Sequence, residues 1–351
     1  MANVLVTGAT GFIGTQLVRH LTQRGDQVTC LVRSSSDLRP LQPLNPRFFV
    51  GDFSDPRSLE HAVRDCEIVF NLAGTTKALR KPDFEQANVL GPKHLAACCA
   101  ALDAPPTFVH VSSLAAAGPC SGSTPRTEAD PPTPVSDYGK SKLRGESAMR
   151  EFASSLPISI VRPPIVLGPG DRDGFEMFNG IAKWSLHLVP SFADHVFSVV
   201  HVDDLCHALT DVAARGKRLC GDAAYHQGIY FAAADETPTY AELGRQIGRS
   251  LGKKHVYIMR GPSAAIWVIA AANEVLSRLR SRPHILSIDK AREATAGSWA
   301  CNADRLRRET GFQPGKTLQE RIDDTTRWYI DNGWIKPWSA PGKVTPKGHV
   351  D

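Results

Sequence analysis

The segment Ser136-Asp-Tyr-Gly-Lys-Ser-Lys142 sets a phenol, Tyr138, and an ammonium, Lys142, at positions i and i+4. On a helix that spacing stacks them on one face, with Cβ atoms about 6 Å apart. The pair has a use in carbonyl chemistry. Reducing a ketone by hydride needs a proton donor near neutral pH, whereas a free phenol titrates near ~10. A neighbouring ammonium favours the phenolate and lowers that value. Bringing it to neutrality takes roughly 4 kcal/mol of differential interaction, a demand shared between Lys142 and the charge of an oxidised nicotinamide. Lys142 can also bind a ribose. Upstream, Ser112-Ser113 closes a β-rich run, at the strand end where open α/β sheets place their ligands. A hydroxyl there would donate to the oxygen on which negative charge develops. The bland alternative is a surface Tyr/Lys pair on an exposed helix.

A second constellation opens the chain. Thr7 to Gly14 reads TGATGFIG, with glycines at 8, 11 and 14, between a first strand and a helix over Thr15 to Arg24. Such glycines turn tightly, let backbone N–H groups approach a pyrophosphate and pack helix on strand, and the helix N-terminus favours the anion. An ordinary glycine-rich turn is the alternative. In NAD-binding versions an acidic residue about 20 positions on receives the ribose hydroxyls. Here Leu31-Val32-Arg33-Ser34-Ser35 offers a guanidinium and hydroxyls instead, which fits a 2′-phosphate. NADP is therefore the expected cofactor, with NAD possible if Arg33 is only a solvated strand-end cation.

The elements that must position these groups are readable. Strands are expected at Val4 to Val6, Gln27 to Val32, Phe48 to Val50, Ile68 to Asn71, Phe108 to Ser112 and Ile158 to Val161, alternating with helical stretches. That is the pattern of an α/β protein with a doubly wound parallel sheet. Asp55-Pro56 marks a helix start, and Thr239 with Glu242 and Thr317 with Glu320 form capping boxes. The texture changes at Gly168 to Asp173. Residues 1–168 are thus read as a dinucleotide-binding domain and 169–335 as a smaller mixed α/β substrate lobe. A stretch near 196–216 would return to the first domain, and 336–351 would form a polar, frayed tail.

Composition narrows the class. A chain of 351 residues, 42% hydrophobic and 22% charged, buries a proper core, which excludes fibrous and disordered readings. The net charge of +5 is scattered, without a stripe for nucleic acid or lipid. The longest apolar run, Ala264 to Ala272, is nine residues, short of the roughly 18 that span a bilayer. The N-terminus does not resemble a signal peptide, so a cytoplasmic location is expected. Eight cysteines without a CxxC pair are read as reduced, buried small hydrophobes.

On these motifs the chain resembles the extended short-chain dehydrogenase/reductases, the NAD(P)-dependent epimerase/dehydratase group, over roughly Ala2 to Trp334. The resemblance implies a Rossmann domain, Tyr138 as general acid/base, Lys142 as its partner, and Ser113 rather than Ser112 as the active serine, because it lies five before Gly118. It implies cofactor contacts from Gly8, Thr10, Gly11, Phe12, Ile13 and Gly14 in the loop, from Arg33, from Asp52-Phe53 beside the adenine, from Tyr138 and Lys142 themselves, and from Pro163. Asn71-Leu72-Ala73-Gly74 would line the pyrophosphate and nicotinamide ribose, and Asn88 would support the active-site backbone. Helices near 85–102 and 137–153 would pair two copies into a homodimer.

The substrate is approached through Arg162-Pro-Pro-Ile-Val-Leu-Gly-Pro169. Nucleotide-sugar members carry an asparagine where Ile165 stands, and the acidic pair of sugar dehydratases is replaced by Leu114-Ala115. The form is instead similar to 3β-hydroxysteroid dehydrogenase-like ketone reductases. Phe175, Phe178, Ile181, Trp184, Leu188, Val189 and Phe192 make a lobe that would hold an apolar substrate, unless they are core. No metal is expected: His201-Val-Asp-Asp204 reads as a turn in which Asp203 caps a helix. The apolar helix Ser263 to Leu279, with Arg278 and Arg280 near its end, reads as core, with membrane-surface contact or a substrate lid as the alternative. The leading expectation is a ketone/secondary-alcohol oxidoreductase acting on a largely apolar small molecule. Behind it stand a sugar epimerase with tightly held NAD and a non-catalytic cofactor-sensing or scaffold subunit.

Overall fold

The computed structural model describes residues 1–122, 124–189, 191–221, 226–280 and 287–336; of residues 263, 265 and 274–280 it gives the backbone alone. Six strands occur where the β-branched runs place them: β1 (Asn3–Thr7), β2 (Gln27–Val32), β3 (Arg47–Val50), β4 (Ile68–Asn71), β5 (Thr107–Val111) and β6 (Ile158–Arg162). Beyond them lie β7 (Ile165–Leu167), β8 (Leu186–Val189), β9 (Val199–His201), β10 (Ile229–Phe231) and β11 (Tyr257–Arg260). Seven strands make one parallel sheet in the order β10-β6-β5-β4-β1-β2-β3, and β7 pairs with β9 and β8 with β11. The order reverses beside β1, which is where an open sheet leaves a crevice for a ligand.

Side chains alternating along each strand feed two cores. Val4 and Val6 pack on one face with α1 (Phe12–Gln23), while Leu5 packs on the other with α2 (Pro56–Val63), α4 (Gly91–Ala100) and α6 (Asp137–Arg150). Helix α8 (Val202–Arg215) joins the β1/α1 face through Leu205, Leu209 and Val212. Segments well past Gly168 thus pack on the sheet of the first half. The Asp55 cap with Pro56 and both capping boxes form as the local sequence dictates.

The C-terminal lobe has its own core, built by α7 (Arg172–Trp184), α9 (Tyr240–Ser250) and α13 (Leu318–Asp331). Here the expectation of a substrate-facing aromatic run is corrected. Phe178, Ile181 and Val189 are buried and Phe175 packs on Tyr329 and Trp334, while Trp184, Leu188 and Phe192 are exposed on the outer surface. Burial of a side chain such as Phe178 contributes about 1.5–3 kcal/mol, so these residues build the lobe rather than the pocket.

Other expectations also shift. Cys220 is exposed and Cys66 and Cys98 are only half-buried, so the cysteines are not uniformly core, although all eight are free. The side-chain cap of α8 is His201, whose Nδ1 accepts from the Asp203 N–H, and not Asp203. Asp204 instead pairs with Arg321. In α10 (Ser263–Arg280) Trp267, Val268 and Ile269 are exposed and Ala270 is buried, against simple core packing. The side chains of Arg278 and Arg280, and the expected tail beyond residue 336, lie outside the described residues. No described helix is long and apolar enough to cross a membrane.

Candidate active site

The glycine loop builds a cradle. Gly8 takes a φ of +67°, and a Cβ there would fall 2.8 Å from the Ala73 nitrogen; a Cβ on Gly14 would fall 2.2 Å from the Gly8 carbonyl oxygen. Gly11 precedes α1, which opens without any side-chain cap. Its first N–H groups are thereby left for an anion. The cradle floors a groove of about 540 Å³ that also takes in Thr10, Arg33, Asp52, Phe53, Leu72, Ala73 and Gly74. An uncapped helix start over a cradle that a Cβ would fill fits a dinucleotide diphosphate.

Within the groove the sequence-based assignments divide. Ser36, not Ser34 or Ser35, is the hydroxyl on the groove wall, and its Oγ accepts from the Arg33 N–H at 3.0 Å. Asp52 accepts from the Ser54 N–H and Oγ, and with Arg33 nearby its carboxyl is held below the usual range. Gly14 and the Phe12 ring turn from the groove, the first packing against the loop and the second against the sheet core, while the Phe12 backbone N–H belongs to the uncapped helix start. Asn71 is interior, accepting from Thr7 Oγ1 at 2.7 Å and donating to His110 Nδ1 at 3.0 Å.

Leu72, Gly74 and Thr75 connect this groove to a second cavity of about 610 Å³. Ser113, Tyr138 and Lys142 meet there, joined by Ile13, Asn88 and Pro163. Ser113 caps the short helix α5 (Leu114–Ala117), its Oγ accepting from the Ala115 N–H, and lines the cavity with Tyr138; Ser112 Oγ donates to Glu146. Ser136 caps α6, accepting from the Gly139 N–H at 2.9 Å, and so sets where Tyr138 points. Asn88 lies in a single π-helical turn, Gln86–Leu90, after α3 (Lys81–Glu85). Its amide accepts from the Thr75 N–H and donates to the Thr75 carbonyl and Ser141 Oγ, tying the loop after β4 to α6.

Tyr138 also meets a cation that the sequence reading did not offer. Burial pushes its phenol above the ordinary value, and Lys290 opposes that shift. Lys142 donates to the Val111 carbonyl at 2.7 Å, and its own burial draws it down to about 8. That carbonyl satisfies the buried ammonium, whose charge the Glu146 carboxylate also favours. Lys290 belongs to α11 (Ile288–Ala294), with Asp289 and Glu293, and the sequence reading missed all three. Ser287 signals a helix start there, but nothing local ties it to Tyr138.

The remaining walls are mixed: Leu114, Pro164, Ile165, Val166, Phe197 and Trp299 are apolar, while Thr76, Ser198, Lys290 and Glu293 add polar groups. Asp173 faces them across the cavity, paired with Lys77 at 2.7 Å. The site can thus hold an oxygen between Ser113 and Tyr138, with greasy surface beyond.

Comparison with known proteins agrees with this architecture. Residues 4–222 match the model of the NAD dependent epimerase/dehydratase family. A ceramide reductase of Caulobacter vibrioides is 30% identical over 336 residues, covering 95% of this chain and 96% of that one. The sterol demethylase protein B of Methylococcus capsulatus is 33% identical over 339 residues, covering 94% and 99%. The solved dTDP-glucose 4,6-dehydratase of Bacillus anthracis, in complex with NAD, superposes with a TM-score of 0.72 at 22% identity, over 96% of this chain and 99% of that one, which speaks to the fold. By sequence match and architecture alike, the chain belongs to the NAD-dependent epimerase/dehydratase family, the extended short-chain dehydrogenase/reductases.

Proposed function

We propose that this enzyme is an NADP-preferring oxidoreductase that interconverts a ketone and the matching secondary alcohol on a largely apolar small molecule. One observation carries the reading: Ser113 and Tyr138 converge on a cavity that opens onto the dinucleotide groove, and Leu114, Pro164, Ile165, Val166, Phe197 and Trp299 give much of its remaining wall, beside Asp173, Lys290 and Glu293. Bound nicotinamide supplies or accepts hydride. In the reducing direction the Tyr138 O–H bond breaks and its proton goes to the substrate oxygen, which Ser113 Oγ also contacts as donor. Asn88 holds the Thr75 backbone that separates groove from cavity. Ile165 exposes a branched hydrocarbon where a diphosphate-binding amide would be needed for a nucleotide sugar. The names of two relatives, a ceramide reductase and a sterol demethylase protein, agree with an apolar substrate. Arg33 with Ser36 supports a 2′-phosphate. Two copies are proposed to pair through α4 and α6, to be checked by light scattering.

The test is a panel of steroid, β-keto-acyl and aryl ketones with NADPH, followed by absorbance and repeated with Tyr138→Phe. A drop in kcat of about 10²–10⁴-fold with unchanged NADPH affinity is expected. Unchanged turnover would remove Tyr138 as proton donor. Retained NAD without net absorbance change would favour an epimerase.

A further inference from the structure

We propose that Lys290, carried by α11 of the C-terminal lobe, is a second cation that, in addition to Lys142, stabilises the Tyr138 phenolate, so that the acid–base residue is also tuned from across the cavity. The inference rests on the reductase reading above. Lys290 Nζ stands 5.2 Å from the centroid of the Tyr138 ring and donates to Glu293 Oε2 at 2.7 Å. It also lines the reaction cavity.

Three contacts lock the helix in place. Asp289 accepts from the backbone N–H of Asp137 at 2.6 Å and of Tyr138 at 3.0 Å, the opening residues of α6. Glu293 Oε1 accepts from Ser136 Oγ at 2.6 Å, gripping the cap of the same helix. Trp299 Nε1 donates to the Glu293 carbonyl at 3.0 Å. Asp289 and Glu293 are i and i+4, so one face of α11 docks on the N-terminus of α6. Their negative charge is favourable at that positive helix end, where N–H groups otherwise lack partners. The geometry that caps the catalytic helix is therefore the geometry that aims Lys290.

Other charges surround the ring. From α6, Lys142 donates to the Val111 carbonyl and keeps its charge, and Asp137 is paired with Lys81 of α3 and Arg292 of α11. Ser113 from the β5–α5 turn is neutral, and Phe84 and Trp299 are uncharged rings. Glu293 opposes Lys290, since its charge raises Tyr138 while the ammonium lowers it. Removing the ammonium leaves that carboxylate unbalanced. Lys290 acts through Tyr138 and is in that sense a positioning residue.

The test uses the full chain as Lys290→Gln, Lys290→Met and Lys290→Arg. The first two remove the charge by different shapes, and the third restores it. In alcohol oxidation with NADP, the acid limb of the kcat/KM profile is expected to move up by about one pH unit or more in the Gln and Met variants. Activity near neutral pH should fall about tenfold accordingly, in variants that remain folded by circular dichroism, with NADPH affinity unchanged and most activity recovered by Arg. A second readout needs no substrate: tyrosinate absorbance, wild type minus Tyr138→Phe, isolates the Tyr138 ionisation, which should shift upward in the same two variants. An unmoved ionisation in a folded charge-removing variant would overturn the inference. A moved ionisation in a protein that reduces no ketone would support it and defeat the reductase reading instead.

Discussion

Glu146 and Arg162 meet as a sealed ion pair: Nε lies 2.8 Å from Oε1 and Nη2 2.6 Å from Oε2, with both side chains buried. Ser112 Oγ donates to the same carboxylate. Glu146 is one helical turn beyond Lys142, Arg162 ends β6, and Ser112 precedes the serine that faces the cavity. The bidentate pair joins α6 to the sheet directly behind the reacting groups.

Breaking this pair should cost more than replacing it. Glu146→Ala leaves a buried guanidinium without its carboxylate and should destabilise the protein by about 3–5 kcal/mol. The double variant Glu146→Leu/Arg162→Met should cost less than the two single changes added together. Urea denaturation of the four proteins decides, and strict additivity would mean the pair is not coupled.

Arg33→Ala removes the cation on the groove wall without touching the glycine cradle. The KM for NADPH should rise about tenfold or more, with that for NADH changing less than threefold, as expected for a lost charge-assisted contact worth about 1.5–3 kcal/mol. Equal losses with both cofactors would show that Arg33 does not read the 2′-phosphate.

Gly145 is where α6 passes the π-helical turn, and a Cβ there would lie 2.3 Å from the Asn88 carbonyl oxygen. Gly145→Ala should therefore destabilise by about 1–3 kcal/mol. It should also lower kcat at temperatures where the variant is still folded, because Asn88 carries the Thr75 backbone. Full activity in the folded variant would separate the turn from the site.

Asp171 caps α7, accepting from the N–H groups of Asp173 and Gly174, yet burial raises its carboxyl to about 6. The unfolded chain releases that proton near ~4. Between these values the native state holds the proton more tightly, so stability falls as pH rises, by up to roughly 3 kcal/mol once both states are ionised. Asp171→Asn keeps an accepting oxygen at the cap and removes the titration. The variant's stability relative to wild type, measured in urea, should grow between about pH 4 and 7; a constant difference would contradict the shift.

Much of this molecule is legible along the chain because it is local. Asp55-Pro56, Thr239 with Glu242 and Thr317 with Glu320 satisfy helix N–H groups within three residues, so tertiary context has little say in them. Strands β1, β2, β4, β5 and β6 are largely buried on both faces, with the edge strand β3 mostly exposed, which leaves near-continuous hydrophobic runs that length and flanking glycines distinguish from helix. Ser113, Tyr138 and Lys142 were recognisable because their chemistry restricts the residue types. By contrast, Ile229–Phe231 is three residues long and is a strand only because β6 offers it an edge. The aromatic run from Phe175 to Phe192 shows the same limit, since hydrophobicity states that a side chain leaves water but not which neighbour receives it.

By itself, then, the sequence determined the alternating α/β order, the anion cradle before α1 and the spacing of Tyr138 and Lys142, the proposed acid–base pair, all encoded within a turn or two of chain. The tertiary structure alone decided which ammonium faces the Tyr138 ring, which hydroxyl flanks Arg33 and which apolar residues wall the cavity. Lys290 and Tyr138 are separated by most of the second half of the chain, and a charge interaction falls off with distance in space, irrespective of distance along the backbone.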